Sequence, residues 1–262
     1  MLDWLEFPDG PRKGRLQEPT GRLRPAEELL RSGRRLYAEG EFLLAAREFG
    51  RARRHDPTLF EAWAEEVDAL LRGGDLPAAD DVADDAIDTY GKVPIFYAAK
   101  ALVLAYQGYF EAAYRHSDIS VEHHEASLFT WLARGEVVLS TAAYGTMHSV
   151  EHCFERASQL DHTRWRAKFR AALAFCRWGH PDRAVERLRQ AADVDSTSPF
   201  LWQLLGDCHR QLGDSPAARE CYGVALSRRP DYLPAIEALR SMTLWGRLQA
   251  HLARLLGRER KT

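Results

Sequence analysis

Six glycines recur along this chain at almost constant intervals: Gly40, Gly74, Gly108, Gly145, Gly179 and Gly213, in steps of 34, 34, 37, 34 and 34 residues. A glycine at a fixed phase between two helical stretches supplies the positive φ that a tight interhelical turn requires. A second ladder runs upstream through Leu29, Trp63, Tyr97, Trp131, Lys168 and Trp202. A third, of small residues, holds Ala45, Ala79, Ala113, Ala184 and Ala218, with Val150 in the fourth place. The fourth ladder is Ala52, Ala86, Ser120, Ala157, Ala191 and Ala225. One period shared by four ladders, with one common slip of three residues, marks repeated pairs of amphipathic helices. No such pair buries its apolar face alone, so the pairs must stack into a continuous core.

The surroundings of these ladders carry a family pattern. Repeat six has Trp202, Leu205, Gly206, Gly213, Ala218, Tyr222, Ala225 and Pro230; repeat one has Leu29, Gly33, Leu36, Gly40, Ala45, Phe49, Ala52 and Pro57. In these residues the chain resembles the tetratricopeptide-repeat (TPR) family over residues 26–232. The resemblance implies an all-α, right-handed superhelical solenoid of six helix-turn-helix repeats, at 26–59, 60–93, 94–127, 128–164, 165–198 and 199–232. Residues 1–25 then form an irregular arm, and 233–262 a capping helix or helices with a basic tail. Departures are visible. Lys168 replaces a large apolar residue, Ser32, Glu66, Lys100 and Arg134 stand where Leu is expected, and repeats two to five lack the closing Pro. These departures bear on the tightness of individual helix pairs, not on the architecture. The slip adds about one helical turn in LSTAAYG, before Gly145, and reads as a loop extension or a partner contact by Tyr144.

Composition sets limits on function. The 262 residues hold 36 basic against 38 acidic side chains, so no net field draws the chain to nucleic acid. No run of 18 apolar residues is present, so no transmembrane segment is expected. The opening MLDWLEFPDGPRKGR lacks the basic head and apolar stretch of a signal peptide. Cys153, Cys176, Cys208 and Cys221 form no CxxC pair, and a cytoplasmic location is expected. Two end segments stand out. Trp4, Leu5 and Phe7 make the arm apolar enough to dock on the solenoid or a partner. Ile236, Leu239, Leu244, Trp245, Leu248, Leu252 and Leu255 recur at helical spacing, followed by Arg258, Arg260 and Lys261. That stretch reads as a cap, with a membrane surface or acidic partner as the alternative.

The resemblance also implies a concave groove lined by the first helix of each repeat. Its stripe falls in three zones here. Repeat two offers Glu61, Glu65 and Asp68; repeats three and four offer Ile95, Ala98, Leu102, Phe129 and Leu132; repeat five offers Arg166, Phe169, Arg170, Leu173 and Arg177. An apolar floor between acidic and basic ends suits a protein or peptide partner. The chain's own arm or terminal helix is the other candidate occupant, which would leave an assembly subunit working through its edges or convex face, as a homo-oligomer or with others. The Lys and Asn of carboxylate-clamp members are absent, with Arg34 and Asp68 at two of those places. Asp75, Asp80, Asp81, Asp84, Asp85 and Asp88 crowd residues 75–88, as a solvated face or a docking face for a basic partner.

No catalytic residue is expected. His148-Ser-Val-Glu151-His152 matches the H-x-x-E-H pattern of zinc peptidases, but it falls on the second helix of repeat four with no third ligand in view. Chance matches come easily in a chain with ten histidines, among which His116, His123 and His124 read as surface residues. No GxSxG, Walker or GxGxxG motif occurs. Neither metal, cofactor nor small-molecule substrate is anticipated, and the expected function is that of a non-enzymatic scaffold or adaptor.

Overall fold

The computed structural model describes residues 25–122, 126–141 and 146–243. Among these, twelve helices follow one another: α1 (Pro25–Ala38), α2 (Phe42–His55), α3 (Phe60–Arg72), α4 (Leu76–Tyr90), α5 (Pro94–Tyr106), α6 (Phe110–Val121), α7 (Leu128–Ser140), α8 (Met147–Gln159), α9 (Arg166–Arg177), α10 (Pro181–Ala192), α11 (Pro199–Gln211) and α12 (Ser215–Arg228). A further helical stretch runs from 233 to 243. Successive pairs form the hairpins of an all-α solenoid.

The turns follow from the glycine ladder. Gly40, Gly74, Gly108, Gly179 and Gly213 all take left-handed φ angles between 80° and 85°. In each case the next residue donates its backbone N–H five residues back: Glu41 to Leu36, Asp75 to Leu70, Tyr109 to Leu104, His180 to Phe175 and Asp214 to His209. That bond closes the first helix and aims the second back along it. Proline near the first turn starts α4, α5, α10, α11 and α12, where its missing N–H has no intrahelical acceptor to lose.

Within the hairpins, side-chain volumes are exchanged between helices. A methyl group on Gly33 would lie 2.4 Å from Phe49, on Gly135 2.5 Å from Phe154, and on Gly206 2.6 Å from Tyr222. One period on, the glycine position holds Val67, Ala101 or Ala172, and the aromatic position holds Ala83, Ser117 or Leu188, all of them buried. Val67 faces Ala83 and Ala172 faces Leu188, so one partner grows as the other shrinks, while beside Ala101 and Ser117 the Arg134 side chain reaches in to donate to Ser117 at 2.7 Å.

The charged residues at the expected Leu positions do not loosen the stack. Glu66 of α3 accepts from Arg53 of α2. Lys100 of α5 reaches Asp80 and Asp84 of α4, both at 2.6 Å. Arg134 of α7 meets Asp118 of α6 at 2.7 Å and lies over the Tyr114 ring. Each ties a repeat to the second helix of its predecessor. Lys168 caps a carbonyl instead, donating to Arg164 at 3.0 Å.

The stack also closes on itself. Ser198, at the start of α11, donates to the carbonyl of Ala38 at the end of α1 (2.7 Å). Phe42 and Phe200 meet edge to face at 5.6 Å, and Phe200 also packs on Phe169. Arg229 pairs with Glu39 at 3.6 Å. The first repeat thus touches the sixth, and the first helices surround a narrow hollow. Past α12, the 233–243 stretch covers the last hairpin through Ala235, Leu239 and Met242. The expected docking of Trp4, Leu5 and Phe7, the turn at Tyr144 and Gly145, His123 and His124, and the apolar and basic residues beyond 243 lie outside the described residues.

Candidate functional site

The predicted stripe converges on the hollow, as expected for residues on one face of each first helix. Ala98, Leu102, Phe129, Leu132, Phe169 and Leu173 are buried there, as is Ile95. Glu65, Asp68 and Arg170 are buried with them, while Glu61 and Arg177 stay exposed and Arg166 is half-buried. The acidic zone of repeat two and the basic zone of repeat five meet each other. Arg170 donates to Glu65 at 3.0 Å and to Asp68, and its guanidinium stacks between the rings of Tyr37 and Phe129 at 5.3 and 5.2 Å.

A second cation completes this network. Arg72 donates to Asp68 at 3.2 Å and to Glu136, and Glu136 also accepts from Tyr106 and Trp178. Tyr37 donates to Asp68 at 2.6 Å. Five first helices are linked through two arginines and three carboxylates. Burial alone pushes the Asp68 carboxyl up, but Arg170, Arg72 and the Tyr37 hydroxyl outweigh it and hold the group below its ordinary 3.8. Glu65 is likewise lowered from 4.5, chiefly by Arg170 and Arg34 acting against its burial.

The chain's own sequence carries a family signature over these hairpins: a tetratricopeptide-repeat family model matches residues 30–94 and 169–232. The chain is a tetratricopeptide-repeat protein. Solved structures with a similar course include PilW, described as a widely conserved type IV pilus biogenesis factor, at 12% identity and TM-score 0.50, covering 82% of this chain and 98% of that one. The thermophilic TPR protein TTC0263 of Thermus thermophilus is 22% identical with TM-score 0.48, covering 84% and 99%. YrrB, a TPR protein described as having an unusual peptide-binding site, is 15% identical with TM-score 0.42, covering 73% and 97%. No curated protein matches this sequence.

A large opening lies on one side of this TPR ring. A cavity of about 800 Å³ lies between α1 and the starts of α9 and α11. Glu65, Arg166, Phe169 and Arg170 of the stripe form part of its wall, and α1 supplies Leu30, Arg31, Arg34 and Arg35. None of the α1 residues belonged to the predicted stripe. Their signal was present in the sequence as RSGRR (31–35), three arginines in five residues on one side of a first helix, but the facing wall is more than a hundred residues away.

The opposite rim is aromatic. Arg177 stacks on Tyr106 and Trp178 at 5.0 and 5.3 Å, Phe110 packs on Trp178, and Tyr109 is 63% exposed beside them in sequence. The zinc-peptidase pattern has no free base, since Glu151 is held by Arg187 and Arg183 of α10. Among the described residues no group of three metal-ligating side chains comes together. Three of the clustered aspartates have structural partners: Asp75 caps α4 by accepting from Ala78, and Asp80 and Asp84 hold Lys100. No helix of the described residues is long and apolar enough to cross a membrane.

Proposed function

We propose that this TPR protein is a non-enzymatic scaffold that holds a protein or peptide partner along the rim of its hollow rather than on the hollow's floor. The burial of the floor carries this reading. Leu102 is only 2% exposed and Arg170 already engages Glu65 and Asp68, so a segment lying on the floor would have to displace native ion pairs. The rim needs no such rearrangement. Tyr109, Trp178 and Arg177 combine an exposed ring, a half-buried indole and a cation, the residue types that dominate interface energetics. Membership of a family that mediates protein–protein contacts supports the general role, and the ion-paired Glu151 supports the absence of catalysis.

The test is co-purification with quantitative mass spectrometry, using wild type, Tyr109→Asp/Arg177→Glu, and an outer-face control, Arg219→Glu. A partner recovered with wild type and the control, and at least about tenfold less with the rim variant, is the expected result, since a hot-spot residue is worth about 2 kcal/mol. Equal recovery by all three, with unchanged helical circular dichroism, removes the rim. The ion-paired floor of the hollow also favours a second reading, an assembly subunit that contacts copies of itself through its edges or convex face. Light scattering that finds a constitutive oligomer supports it.

A further inference from the structure

The cavity between α1, α9 and α11 has more cation than its carboxylates neutralise. Seven arginines line it: Arg31, Arg34, Arg35, Arg166, Arg170, Arg228 and Arg229. Its four acids are Glu27, Glu39, Glu65 and Asp195, and each is engaged. Glu65 is held by Arg170 and Arg34, and Glu39 by Arg229. Asp195 accepts from the Thr197 N–H and hydroxyl, and Glu27 has a partner of its own. Arg31, Arg35 and Arg166 are left without a carboxylate among the described residues, and Arg228 donates only to Ser196.

Two donors in this wall are also orphaned. The Nε–H groups of Arg34 and Arg166 are buried and have no hydrogen-bond partner, the only such side-chain nitrogens or oxygens among the described residues. They come from α1 and α9, in repeats one and five, and both line the same cavity. Buried polar groups in folded proteins are almost always satisfied, so a pair of orphans converging on one cavity calls for an acceptor. Burial lowers the Arg166 pKa, and Arg34 and Arg170 push it further down against the opposing pull of Glu65 and Asp161.

The remaining wall is apolar: Leu30, Trp165, Phe169 and Leu201. The volume falls in the range that encloses a small organic molecule.

We propose that this cavity is a binding site for a small organic anion, bearing phosphate or carboxylate groups on a flat apolar body. The anionic groups take the guanidinium donors of Arg34 and Arg166 from opposite walls, with Arg31, Arg35 and Arg228 at the entrance. The apolar body lies against Trp165 and Leu30. Because one wall belongs to repeat one and the other to repeats five and six, the ligand bridges the place where these repeats meet, and it holds the ring shut. This site is separate from the partner rim proposed above, and either can exist without the other.

The experiment is a thermal melt of the full chain titrated with inorganic pyrophosphate, with inorganic phosphate, and with phenyl phosphate, against sodium chloride at matched ionic strength. The expected result is a saturable rise in Tm of about 5 °C at a hundredfold excess over Kd, with chloride giving none. Phenyl phosphate should bind at least about threefold tighter than inorganic phosphate, reflecting Trp165 and Leu30. Arg166→Gln should lose the response while melting, without added anion, at or above the wild-type temperature, because it removes an unpaired cation. Arg219→Gln, on the outer face of α12, should respond as wild type. Pyrophosphate acting no differently from chloride, or Arg166→Gln responding fully, overturns the site. Equal affinity for phosphate and phenyl phosphate overturns the apolar half of the ligand class. Carboxylates are covered by a second titration with benzoate and acetate, in which benzoate should again bind tighter.

Discussion

The hollow and the seam cavity are built from the same materials with opposite outcomes. Both lie between first helices, and both bring arginine from repeat five to face an earlier repeat. In the hollow, Arg170 and Arg72 find Glu65, Asp68 and Glu136, and every cation is matched. In the cavity, Arg166 sits only four residues from Arg170, one turn along α9, and forms no ion pair among the described residues, although Glu65 and Asp161 act on it at longer range. One turn of helix separates a charge that holds the fold together from one that waits for a ligand. The contrast shows that a count of charges on a stripe is uninformative until their partners are known.

The sharpest way to break this comparison is to remove one arginine from each side. Arg170→Met removes the cation shared by two buried carboxylates, leaving Asp68 to Arg72 and Glu65 to Arg34, and should cost about 3–5 kcal/mol in urea unfolding. Arg166→Gln should cost nothing in the same measurement, and equal losses would erase the distinction. The interior's dependence on tight volume matching gives the next effect. Gly206→Ala pushes a methyl group into Tyr222 and should cost about 1–3 kcal/mol, most of it recovered by pairing it with Tyr222→Leu.

Acid offers a smaller and reversible probe. The Asp68 and Glu65 carboxyls are held below their ordinary 3.8 and 4.5, so their stabilising contribution is fully present above those values. It falls away as pH drops through the lowered folded values. Glu66, raised by burial despite Arg53, acts in the opposite sense and weakens the fold as pH rises through its folded value. Urea midpoints from pH 6 down to 3 should therefore fall for wild type, and the part owed to Asp68 and Glu65 should be smaller in Arg170→Met. The smallest change is expected at Lys100→Leu, which replaces a partly exposed ion pair by the residue the repeat pattern favours. Its unfolding free energy should stay within about 1 kcal/mol of wild type.

Much of the fold could be read from spacing because each hairpin is specified locally. The turn glycines, the aromatic at the head of each first helix and the small residues of the second act within one or two repeats. The bonds from Glu41 to Leu36 or Asp214 to His209 need nothing farther away. The charged residues at Leu positions were misleading for the same local reason: Lys100 and Arg134 look out of place until the preceding helix supplies Asp84 and Asp118. Ring closure was not legible. Whether repeat six reaches repeat one depends on a small rotation per repeat summed over the whole chain, and that rotation is set by side-chain volumes no motif records. The same blindness covered the site. Glu65, Asp68 and Arg170 were visible as acidic and basic zones, and their opposite signs were the available hint that they face each other rather than a visitor. The RSGRR cluster faced a wall that spacing could not place.

The exchange of glycine for ring and of ring for glycine also bears on how such a chain can change over time. Gly33 is fitted to Phe49 and Gly135 to Phe154, while Val67 and Ala83 share their room differently. A single helix moved from a glycine–aromatic hairpin into a hairpin of the other kind would therefore collide or leave a void, whereas a whole hairpin carries its own fit with it. The natural unit of recombination in this protein is the complete two-helix cassette, and duplication or shuffling should have left breakpoints between hairpins, seldom at the glycine turns inside them.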